Sequence, residues 1–123
     1  MISDNVSLSS GKIVSFIGSS SVSQRKAKIS IKKNPFGFFL STDIKQTVID
    51  TITSLFDTDY VMGEKIHTSQ LIGIISYKLI NEIQDIKFIS LDPNNYGQEI
   101  DYFMGGVDEL LYPHITHDDI NVM

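Results

Sequence analysis

The sequence predicts an α+β fold in two layers, with two antiparallel helices packed on one face of a small mixed or antiparallel sheet. Three observations carry this. RKAKISIKK (Arg25–Lys33) alternates apolar and polar residues with period two, the mark of a half-buried strand. Two later segments repeat their apolar residues every three or four positions, as one face of a helix does. A helix with one apolar stripe must then bury that stripe against another layer. The predicted order is β-β-α-α-β-β followed by a partly extended tail.

KIVSFI (Lys12–Ile17) is a short apolar run, and Gly18 with four nearby serines marks a turn. In RKAKISIKK, Ala27, Ile29 and Ile31 point one way, while Lys26, Lys28, Ser30 and Lys32 point the other. The two runs are expected to pair as a hairpin. Asn34-Pro35 ends the ladder, because proline has no N–H to donate. The first helix is predicted from about Thr42 to Phe56, with Ile44, Val48, Ile52, Leu55 and Phe56 as its stripe. Ser41 or Thr42 is the expected cap, and Asp43 suits the positive end of the helix dipole.

The second helix opens in GEKIHTSQL (Gly63–Leu71), with Thr68 or Ser69 as cap and Ile66 as a hydrophobic staple. Its stripe is Leu71, Ile72, Ile75, Leu79 and Ile83, widened by Ile74 and Ile80. Gly73 costs this helix about 1 kcal/mol relative to alanine and suggests close approach by another element. Lys78 and Glu82 form a weak surface pair at i, i+4. IKFISL (Ile86–Leu91) reads as a strand, Asp92-Pro93-Asn94-Asn95 as a turn, and EIDYFM (Glu99–Met104) as the returning hairpin partner. Gly105-Gly106 is flexible, and ELLY and INVM are short apolar pieces. Residues 1–11 and 113–123 are expected to be extended or flexible. No internal repeat is visible.

The chain has 123 residues, about one domain. Its hydrophobic fraction of 41% is that of a folded chain. The absence of cysteine excludes disulfides, a thiol nucleophile and a thiolate metal site. No apolar run reaches the ~18 residues of a membrane span, and MISDNVSLSS does not read as a signal peptide. The net charge of −5 argues against general nucleic-acid binding. Its distribution is uneven. Up to Lys33 there are six basic residues and one acid (Asp4); from Asn34 onward there are four against fourteen. Such a split either serves head-to-tail contact between subunits or reflects two ends that meet inside one fold.

Few residues suggest chemistry. His67 stands beside Thr68 and Ser69, but a Ser-His site needs a third orienting group, and neighbours in sequence rarely reach each other. His114 and His117, followed by Asp118 and Asp119, lack a third ligand at a convincing spacing. FDTDYVMGE opens like a calcium loop at Asp57 and Asp59, yet the positions that need an oxygen ligand, glycine and glutamate hold Val61, Met62 and Thr68. No phosphate-binding glycine motif is present. The expectation is a protein that is not an enzyme, with no catalytic residue, metal or cofactor. What remains is aromatic and apolar: Phe36, Phe38, Phe39, Tyr102, Phe103, Leu110, Leu111 and Tyr112. Core membership explains most such residues. Because Phe38 and Phe39 are adjacent, one of them faces away from the core if this stretch is extended, and exposed apolar patches mark partner surfaces. These eight form the candidate interface.

The segment from about Arg25 to Asp92 resembles the C-terminal region of the baseplate J-like family, wedge subunits of the baseplates of contractile-tailed bacteriophages. The resemblance lies in the strand KISIKK, the helix IKQTVIDTI, the loop and helix MGEKIHTSQLIGIISYKL, and the strand and turn IKFISLDP. ELLYPHIT is similar to the strand that closes such domains. It covers a little over half the chain and no catalytic residue; the Ser-rich opening and the tail after Gly105 are not well matched. The resemblance implies a structural role, joining wedge copies, often as a homodimer, and other baseplate proteins in a ring around the tail hub. It implies location in the virion tail baseplate after assembly in the host cytoplasm, with no small-molecule substrate, membrane or nucleic acid. The chain is expected to be one domain, and because larger family members carry further domains upstream, the resemblance implies the C-terminal fragment of a longer protein. Two alternatives stay open: a small acidic binding module of immunity or regulatory type that takes a basic protein partner, and a small hydrolase using His114 or His117.

Overall fold

Ala27, Ile29 and Ile31 are buried while Lys28 and Lys32 are exposed, so the strand predicted from alternation does sit with one face on a core. The computed structural model describes residues 12–17, 23–58, 65–104 and 109–123. The turn at Gly18 to Ser21, the segment from Asp59 to Glu64 and Gly105-Gly106 lie outside the described residues, as does Met1 to Gly11. In chain order the elements are β1 (Lys12–Phe16), β2 (Ser23–Arg25), β3 (Ala27–Lys33), α1 (Ser41–Thr58), β4 (Lys65–His67), α2 (Thr68–Lys78), β5 (Ile83–Ser90), β6 (Tyr102–Met104), β7 (Glu109–Pro113), a 3₁₀ turn (His117–Asp119) and β8 (Ile120–Val122).

The architecture is α+β, with more strands and a different order from those expected. The main sheet is β5-β3-β8, mixed, with β3 in the centre. β3 runs antiparallel to β5, placing Ile29 opposite Phe88 and Ile31 opposite Ile86, and parallel to β8, placing Ile29 opposite Ile120. These side chains share one face, and the cluster they form with Ile44, Val48, Ile52 and Phe56 of α1 and Leu71, Ile75 and Leu79 of the α2 segment is the core. Each such side chain contributes about 1.5–3 kcal/mol on full burial. β1, β2 and β7 form a separate parallel sheet, and β4 pairs antiparallel with β6, Ile66 opposite Phe103.

Several expectations are corrected. KIVSFI and KISIKK do not form a hairpin: both neighbours of β3 are taken by strands whose inward residues match its own, and β1 pairs with β2 and β7. EIDYFM is only briefly a partner of IKFISL. The turn after Leu91 reverses the chain, with Gly97 at φ +86°, and Ser90 and Phe88 bond to Gln98 and Ile100. The chain then leaves β5, and Tyr102–Met104 joins β4 instead. The end of the tail is extended as expected, but it is not loose: β8 joins the main sheet beside β3, preceded by a 3₁₀ turn in which the Asp119 carboxylate accepts the Thr116 N–H at 2.9 Å.

Both helices start differently from the sequence reading. In α1 the chain is already helical at Ser41, so neither Ser41 nor Thr42 precedes the helix as a cap; Asp43 does lie in the first turn as expected, and its carboxylate accepts the Leu40 N–H at 3.1 Å. In α2 the cap position is His67, whose N–H meets Gln70 Oε1 at 3.4 Å. Thr68 is buried and turns its hydroxyl elsewhere, donating to the carbonyls of Ile100 (2.7 Å) and Asp101 (3.0 Å). Gly73 faces open space, so no element among the described residues approaches it. Ile83 belongs to β5, and Glu82 lies beyond the end of α2, so it makes no helix-surface pair with Lys78.

Candidate functional site

Apolar side chains left in water need a reason, and the described residues concentrate them around residues 36–40. Phe36 is 87% exposed, Phe38 94% and Leu40 67%; Phe39 is 38% exposed. The segment is held firmly all the same. Asn34, Pro35 and Gly37 occupy the positions of a tight turn, closed by the Gly37 N–H donating to Asn34 O at 3.0 Å. The Asn34 side chain accepts the Phe36 N–H (3.0 Å) and donates to Asn81 O (2.9 Å). Asn34 N–H donates to Glu82 O at 3.0 Å.

The anchor is Glu82, buried to 9% exposure, whose carboxylate accepts the Phe39 N–H at 2.8 Å. A side chain at position 37 would place its Cβ 2.6 Å from that carboxylate and 3.1 Å from the Asn81 carbonyl, so only glycine lets the loop lie this close. Asn81 adopts φ +69°, a left-handed conformation that asparagine tolerates better than most residues. The loop is thus tied to the turn after α2, and that turn carries Ile80, 67% exposed. Tyr77, and to a smaller extent Ile74, extend the apolar surface along the outer side of α2. The expectation that Ile74 and Ile80 widen the buried stripe is therefore corrected: the main sheet covers only the Leu71–Ile75–Leu79 side.

The eight candidate interface residues do not come together. Phe36, Phe38 and Phe39 share the loop. Tyr102 is half exposed on β6, with Lys65 Nζ 4.4 Å above its ring and the His67 ring 6.4 Å away. Phe103 is buried, edge-on to Phe88, and Leu111 is fully buried, so these two are core and present no surface. The side chain of Leu110 lies outside the described residues. Tyr112 is partly buried and donates its hydroxyl to Asp57 at 2.7 Å. This bond raises the tyrosine above its ordinary value, because ionising it would break the bond and set two negative charges together. Sequence reasoning missed Leu40, Ile80 and the Glu82 anchor. The Asn-Pro-x-Gly turn pattern was the available signal for a rigid loop; nothing local marks Glu82.

The histidines are dispersed. His67 sits at the start of α2, His117 Nε2 lies 2.9 Å from Gln46 Oε1, and His114 is exposed. Among the described residues no three histidine or carboxylate side chains gather as a metal site would require. No helix of the described residues is long and apolar enough to cross a membrane. No protein-family model and no curated protein matches the chain.

Proposed function

We propose that the chain is a structural assembly domain, not an enzyme, and that it joins a second copy of itself through the loop Asn34–Leu40. The single observation in support is the combination at that loop: two phenylalanines almost fully in water, on a backbone locked by Glu82, Asn34 and Gly37. A rigid aromatic anchor loses little conformational freedom on docking, which is why such residues dominate interface energetics. The resemblance to the C-terminal region of baseplate J-like proteins gives the finer reading, a wedge domain of a phage tail baseplate that also meets other baseplate proteins.

The test is solution mass by light scattering over a dilution series, for the unaltered chain and for Phe36→Ser with Phe38→Ser. The expected result is a dimer that the double variant loses while its circular dichroism stays unchanged. A monomer at every concentration overturns the self-association.

A further inference from the structure

Among the described residues no layer covers the outward face of the main sheet. Opposite the buried Ala27, Ile29 and Ile31, β3 presents Lys28, Ser30 and Lys32. The register brings Lys87 beside Ser30, Asp85 beside Lys32, and Asn121 of β8 beside Ser30 on its other side. Lys28, Lys32, Lys87, Asp85 and Asn121 are all exposed. Lys87 and Asp85 approach at 4.0 Å, both about half exposed, a contact of little worth in water. Among the described residues Lys28 and Lys32 make no ion pair. The face thus carries three lysines and one carboxylate in a chain whose net charge is −5.

The same molecule carries the opposite pattern elsewhere. Asp92, Glu99 and Asp101 line one open groove with a single lysine, Lys26. The groove is pre-formed. Leu91 N–H donates to Lys26 O, Asp92 Oδ1 accepts the Asn94 N–H, and Thr68 holds the Asp101 carbonyl. No ion pair links these acids to Lys28 or Lys32 within the described residues, so neither patch is taken up by a direct contact with the other inside one chain.

We propose that the lysine face of the main sheet docks onto the Asp92–Asp101 groove of a second copy of this chain. The argument is complementarity: three lysines with one carboxylate meet three carboxylates with one lysine, and opposed patches fix register and speed encounter. A polyanion suits the face less well, since no aromatic side chain projects from it to stack on bases and the chain as a whole repels negative charge. This contact is separate from the Phe36–Phe38 loop and does not rest on it.

The experiment is sedimentation velocity of the full chain at about 20 mM and about 500 mM salt, where the screening length shrinks severalfold. Association is expected to weaken roughly tenfold or more at high salt. Lys28→Glu with Lys32→Glu is expected to match that loss at low salt, and so is Asp92→Lys with Asp101→Lys. An equimolar mixture of the two variants is expected to associate again, because each restores the other's opposite charge. Should either double variant not fold, the single changes Lys28→Glu and Asp92→Lys are read in the same way. Association of both charge variants equal to that of the unaltered chain overturns the proposal, as does a mixture that does not recover. Binding of a random-sequence DNA duplex at low salt that is lost in Lys28→Glu with Lys32→Glu, without self-association, also overturns it and assigns the face to a polyanion. Phe36→Ser with Phe38→Ser is expected to leave the salt-dependent component in place, which separates failure here from failure of the loop contact.

Discussion

The segment Ile66–Ser69 and the loop Phe36–Leu40 invert each other's appearance. The first is polar, with a histidine beside two hydroxyl residues, and resembles a place for chemistry. In the fold Ile66 is core, His67 begins a helix, and the Thr68 hydroxyl is held by two carbonyls more than thirty residues away. The second is apolar and looks like core, yet Phe36, Phe38 and Leu40 stand in water. The difference is the presence of an opposing face. Ile66 meets Phe103 across a strand pair, whereas the loop, fastened to Glu82, has no opposing face among the described residues. Apolarity makes burial favourable, but only a complementary surface delivers it, and where the monomer lacks one a partner is the natural supplier.

The contrast between buried and displayed phenylalanines is the easiest part to break. Phe88→Ala is expected to cost about 3–5 kcal/mol, as for large aromatic residues removed from a core. Phe38→Ala is expected to stay within about 0.5 kcal/mol. Urea unfolding of the monomer measures both, and similar losses for the two would mean that the loop is not free. Next in size, Glu82→Ala leaves the Phe39 N–H without its acceptor and is expected to cost about 1–3 kcal/mol. Hydrogen exchange of the Phe39 amide sharpens the point: it should quicken there before it quickens in β3.

The polar segment supplies a smaller pair. Thr68→Val removes the hydroxyl that bonds Ile100 and Asp101 while keeping the shape, and about 1 kcal/mol of destabilisation is expected. His67→Ala is expected to change stability by less than about 0.5 kcal/mol. Equal effects would show that His67 carries more of the helix start than its geometry implies. The smallest effect concerns pH. Tyr112 is raised by its bond to Asp57, so its proton is held more tightly in the folded state than in the unfolded chain. The contribution is complete below the ordinary tyrosine value and is lost as pH rises through the folded one. Alkaline unfolding is expected to be less steep in Tyr112→Phe than in the unaltered chain, and identical profiles would disprove the coupling.

Much of the core was legible without coordinates. The inward positions of β3 and the Ile44–Val48–Ile52–Phe56 stripe follow from period alone, because backbone geometry sets which residues share a face before any partner is chosen. The turn at Asn34-Pro35 was equally legible, because proline and the side chain of asparagine act on their own backbone. Strand partners were not. Whether KISIKK pairs with KIVSFI or with IKFISL and INVM depends on which apolar faces match across long separations, and on how far each loop reaches. The candidate site was half legible for the same reason. That one of two adjacent phenylalanines must face outward is local, but that Phe36, Phe38 and Leu40 all do so follows from Glu82, forty-three residues beyond the Phe39 whose amide it holds. Sequence by itself determined the class, the helix stripe and the inward face of the central strand, since these are matters of spacing along one chain. Tertiary structure alone decided who pairs with whom and which apolar residues stay outside, since these depend on surfaces that exist only after distant segments meet.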